Sequence, residues 1–159
     1  MSKSDDTKGA STDRRKMIFT LNPDDIGISK EGFGHPVWGI VMETGDPEGS
    51  FSLVTLADGN SSLYFSNGSG IFGGGEHESV REASAYFLTG AQHFYLYAEK
   101  VDEYPSPSDG EVLFYFLTFD DVLSFATLEE ELRKPTNVLA HLYQAGHGLI
   151  SELRKLEEK

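Results

Sequence analysis

Two tight acidic turns constrain this chain more than any other feature. Ala57-Asp58-Gly59-Asn60 joins the apolar runs 51–56 and 63–65, and Asp120-Asp121 joins 111–119 to 122–125. Asp-Gly between β-rich runs closes a hairpin, because glycine takes the positive φ such turns need. Strands joined by loops this short can pair only antiparallel. Glu111 to Phe119 (EVLFYFLTF) is the most hydrophobic run of all, which predicts a strand inside the sheet. Val37 to Met42 reads as another largely buried strand, and residues 17–21 as a short strand ahead of a turn-rich loop.

Each hairpin is followed by helical spacing. Val80, Ala83, Phe87, Ala91, Phe94 and Ala98 recur at intervals of three and four, so a helix is expected from Glu76 to about Val101. Gly90 within it predicts a close packing contact or a kink. Beyond Pro135, Thr136 or Asn137 caps a last helix with a stripe of Leu139, Leu142, Tyr143, Leu149, Ile150, Leu153 and Leu156. The expected fold is α+β: an antiparallel sheet of about five strands in the order β-β-β-α-β-β-α, with two helices packed on it. That order resembles small adaptor domains of the profilin-like and roadblock types, a likeness of topology without shared motif residues.

Composition bounds the function classes. Residues 1–16 are almost free of apolar side chains and read as a disordered N-terminal tail, leaving 17–159 as a single α+β domain. The net charge of −13 is uneven. The first sixteen residues carry five Lys/Arg against three Asp/Glu, and the remainder carry eight against twenty-three. A body that acidic repels phosphate backbones, so no nucleic-acid partner is expected. Cysteine is absent, and the first apolar stretch (Met17-Ile18-Phe19) is too short for a signal-peptide core. No run approaches a membrane span, so a cytoplasmic protein with no membrane partner is expected.

One stretch carries a chemical signature. Gly68-Ser69-Gly70-Ile71-Phe72-Gly73 is a literal G-x-G-x-x-G between a strand and a helix. Glu76 and Glu78 would themselves occupy the positive end of that helix, and the comparable acidic residue, Asp120, lies about fifty positions on where the fingerprint wants about twenty. A dinucleotide site is therefore not expected, and no cofactor is assigned. His77-Glu78 lacks the second histidine of a zinc-protease helix, and the five histidines are scattered, so no metal site is assigned either.

Without a catalytic constellation, the leading expectation is an interaction or adaptor module, leaning away from an enzyme. It would bind a protein partner or form a homodimer through Tyr86, Phe87, Phe94, Tyr95 and Tyr97 of the long helix. The alternative is a small-molecule or anion site on the glycine-rich loop 66–75, using Tyr64, Ser66, Asn67, Gly68, Gly70, Gly73 and His77. A third reading is an acidic protein that neutralises a basic partner.

Overall fold

The computed structural model describes residues 15–72 and 76–157. Strands β1 (Val37–Asp46), β2 (Gly49–Leu56), β3 (Ser61–Phe65) and β4 (Gly70–Ile71) form a meander. Helix α1 (Glu78–Phe94) and a 3-10 turn (Tyr95–Tyr97) follow, then β5 (Glu99–Val101), β6 (Glu111–Thr118), β7 (Val122–Leu128) and helix α2 (Ala140–Glu157). The seven strands pair antiparallel throughout in the order β4-β3-β2-β1-β6-β7-β5. The α+β class and both expected hairpins stand, and β6 is paired on both sides.

The strand count rises from five to seven, and the two expected helices are joined by short ones at Lys30–Phe33 and Glu129–Leu132 and by helical residues 15–20. Part of the glycine-rich stretch is β4, which pairs with Leu63 and Tyr64 because Ile71 has core to reach. The expected helix to Val101 stops at Phe94, since residues 99–101 find β7 as a partner, Glu99 opposite Ser124 and Val101 opposite Val122. Tertiary pairing overrides a local helical period there. Residues 17–21 are not a strand: residues 15–20 are helical. Of the expected tail, residues 1–14 lie outside the described residues.

Helices α1 and α2 cover one sheet face. Val80, Phe87 and Ala91 from α1, with Leu139, Leu142, Leu149 and Leu153 at and along α2, meet Ile40, Met42, Leu53, Phe114 and Phe116. At Gly90 a Cβ would stand 3.0 Å from Leu142 Cδ1, the close helix contact its position suggested. Gln92 ties α1 to the sheet by accepting from the Val37 amide (2.9 Å) and donating to its carbonyl (2.6 Å). Asn137 Oδ1 accepts from the Leu139 amide at the entry to α2.

The other face is covered too. Trp38, Val41, Val54, Leu113, Tyr115 and Leu117 form a second cluster under residues of the 15–36 segment: Ile18, Phe19, Leu21, Ile26, Ile28 and Phe33. Tyr104 joins it because the chain leaves β5 at the sheet edge and must recross this face to begin β6.

Phe87 and Tyr86 are neighbours with opposite environments, 0% and 68% exposed. Phe87, expected at an interface, is therefore core. Truncating it to Ala should cost about 3–5 kcal/mol, whereas Tyr86→Ala should stay within about 0.5 kcal/mol. Urea unfolding followed by the fluorescence of Trp38 measures both, and equal losses would contradict the packing described.

Candidate functional site

The second face is not filled from end to end. Between the 15–20 helix, the 104–107 loop and strands β1 to β3 lies a cavity of about 860 Å³, lined among others by Phe19, Val54, Tyr64, Tyr104 and the hydroxyls of Ser50 and Ser66. Ligand sites typically run to roughly 300–1,000 Å³, apolar with a few convergent polar groups. Antiparallel register builds its floor: Tyr64 pairs with Ser52, Ser52 with Glu43, and Glu43 with Leu113, a row across four strands.

Glu43 is the unusual member of that row. Its side chain is 2% exposed, and a carboxylate so buried requires a counter-charge and donors. Arg15 supplies them, with Nη2 2.8 Å from Oε1 and Nε 2.9 Å from Oε2. The Ser52 hydroxyl donates to Oε2 at 2.6 Å. Arg15 Nη2 also donates to the Pro105 carbonyl (3.0 Å), which accepts from the Tyr115 hydroxyl as well (2.8 Å). Phe19 stacks on Tyr104 at 4.4 Å and meets Tyr115 edge-on at 4.8 Å. Burial alone would lower the Arg15 pKa; the hydrogen bonds and charge of Glu43 outweigh it and raise it. Burial first, then the charge of Glu43, pushes the Tyr115 phenol up to about 12.

The residues singled out from the glycine-rich loop separate in space. Tyr64 and Ser66 line the cavity. The Ser66 hydroxyl accepts from the Ser50 amide. Asn67 turns away: its Oδ1 accepts from the amide (2.9 Å) and hydroxyl (2.7 Å) of Ser69. Gly68, at φ 94°, donates its amide to Phe65, and Gly70 pairs with Tyr64. These groups are engaged in closing the β3–β4 hairpin. His77 precedes α1 without a side-chain capping bond. Gly73 lies outside the described residues. Of the aromatic residues on the long helix, Phe94 and Tyr95 pack partly into the core, while Tyr97 is exposed like Tyr86.

Arg15, Glu43, Ser52, Phe19, Tyr104 and Tyr115 were not singled out from sequence. Glu43 could have been, as a lone carboxylate closing the run Val37–Met42. Among the described residues, no group of three or more His, Asp or Glu could hold a metal ion, and no helix is long and apolar enough to cross a membrane. No protein family, curated protein or solved structure matches the chain.

Tyr143 is raised to about 12 as well, by burial and by its hydrogen bond to Glu129. Phenols held above the unfolded value of about 10 contribute stability that is full below that pH and lost as pH climbs towards 12. The unfolding free energy should fall across that window, and Tyr115→Phe should flatten part of the slope. Denaturant midpoints measured at stepped pH test this; an unchanged slope in the variant would contradict the environment described.

Proposed function

We propose that the chain is a non-catalytic interaction module that receives a segment of a protein partner in the cavity over β1, β2 and β3. One observation carries this reading. The same sheet face already holds a peptide segment, residues 15–36, through side chains such as Ile18, Phe19 and Ile28. The open part continues that surface with Val54 and Tyr64 below and Ser50, Ser66 and Ser106 around the mouth. An apolar floor with aromatic walls and a hydroxyl rim suits an amphipathic segment. Catalysis fits less well, because both oxygens of Glu43 are already engaged by Arg15 and the Ser52 hydroxyl.

Panning a displayed random-peptide library against the chain tests the proposal. Peptides should be enriched that bind the wild type and lose at least tenfold affinity for Ser50→Trp, which blocks the mouth from the rim. Circular dichroism would confirm that the variant folds. Peptides insensitive to Ser50→Trp, or none at all, would overturn the reading.

A second reading has its own support. Leu96 is 77% exposed with Tyr97 exposed next to it, and Tyr86, further back along α1, is exposed as well and borders a groove between α1 and α2. Such a surface suits self-association. Light scattering should then show a dimer that Tyr86→Ser dissociates; a monomer at high concentration would exclude this reading.

A further inference from the structure

We infer that the floor of this cavity is a receptor for an arginine side chain, filled here by the chain's own Arg15 and open to an arginine on a basic partner segment. The inference rests on the reading of the cavity as a docking site and names the residue that anchors there. Apart from Phe19, the groups around the guanidinium belong to the body: Glu43 on β1, Ser52 on β2, Tyr115 on β6 and the Pro105 carbonyl. Glu43 receives the guanidinium side-on through Nε and Nη2, and the Pro105 carbonyl takes a further Nη2 hydrogen. The guanidinium carbon lies 5.0 Å from the Phe19 ring centroid and 6.0 Å from that of Tyr115.

This arrangement selects arginine over lysine. A planar fork matches a carboxylate edge, a third in-plane acceptor and two aromatic rings together, whereas an ammonium offers one compact charge. Arg15 is the first of the described helical residues 15–20, which Ile18 and Phe19 also hold to this face. Charge favours exchange with an outside segment. Residues 17–159 carry eight Lys/Arg against twenty-three Asp/Glu, a net charge that attracts a basic peptide to the body. Because Arg15 competes from within the same chain, an incoming arginine meets a filled site and its apparent affinity is reduced.

The test uses the full chain and two fluorescent peptides, one copying residues 13–22 and one with Lys in place of its second arginine. With Arg15→Ala, the arginine peptide should bind about tenfold more tightly than the lysine peptide. The wild type should bind it more weakly than Arg15→Ala does, and adding Glu43→Gln should abolish the preference. If Arg15→Ala does not fold, the same pair of peptides titrated against the wild type still reads the arginine preference. Equal binding of the two peptides would overturn the inference. So would failure of both to bind while library-selected peptides still enter the cavity, an outcome that leaves the docking reading intact. If no peptide of any kind binds, both readings fall. A wild-type dimer held by exchanged N-terminal segments and lost in Glu43→Gln would make a second copy the occupant and overturn the assignment to a foreign partner.

Discussion

A carboxylate on the inner face of a buried strand cannot be left to itself, and the arrangement of the second sheet face follows from that constraint. Glu43 lies in the middle of the sheet, one strand from Ser52 and one from Leu113. Removing an ion of that size from water costs several kcal/mol unless a counter-ion and donors replace the water. Arg15 meets the requirement from outside the sheet. In doing so it draws the N-terminal helix onto the face and brings Phe19 against Tyr104 and Tyr115. The Pro105 carbonyl, fixed by both Arg15 and Tyr115, holds the recrossing loop in place. One charge pair thus joins three segments that are distant in sequence.

The two faces are stabilised in different ways. Beneath α1 and α2 the contacts are mainly aliphatic and aromatic, with Phe87, Phe114, Phe116 and Leu149 inaccessible to water and one buried hydroxyl chain, Thr55–Ser61–Ser84, among them. Beneath the N-terminal segment the apolar contacts are interrupted by the ion pair, the Ser52 hydroxyl and a cavity. Packing of the first kind supplies stability with little selectivity. A partly filled face with directional polar groups supplies selectivity, and for that reason the candidate site belongs there.

Much of the scaffold was legible in the sequence. The Asp58-Gly59 and Asp120-Asp121 turns, the β6 run and the two helical stripes are local patterns, and local patterns survive without knowledge of the fold. Two short strands were missed because each exists only through its neighbour: β4 through Leu63 and Tyr64, and β5 through Ser124 to Val122. From sequence, residues 17–21 read as a strand and 15–16 as the end of the tail, because three apolar residues, Met17 to Phe19, carry too little periodicity to separate helix from strand. Only part of the candidate site could be read, namely Tyr64 and Ser66 beside the glycine-rich loop. Arg15 and Glu43 are twenty-eight residues apart, and each alone looks like an ordinary surface charge.

By itself, the sequence determined the α+β class, both hairpins, the antiparallel sense of the sheet and the core stripes of the helices. Spacing and turn chemistry act over a few residues, so they can be read along the chain. Tertiary structure alone decided that the second face is covered, that the glycine-rich stretch closes a hairpin, and that Arg15 is seated on Glu43. Those outcomes depend on which strand lies beside which and on the cost of an unpaired buried charge. Neither is visible until the sheet has formed.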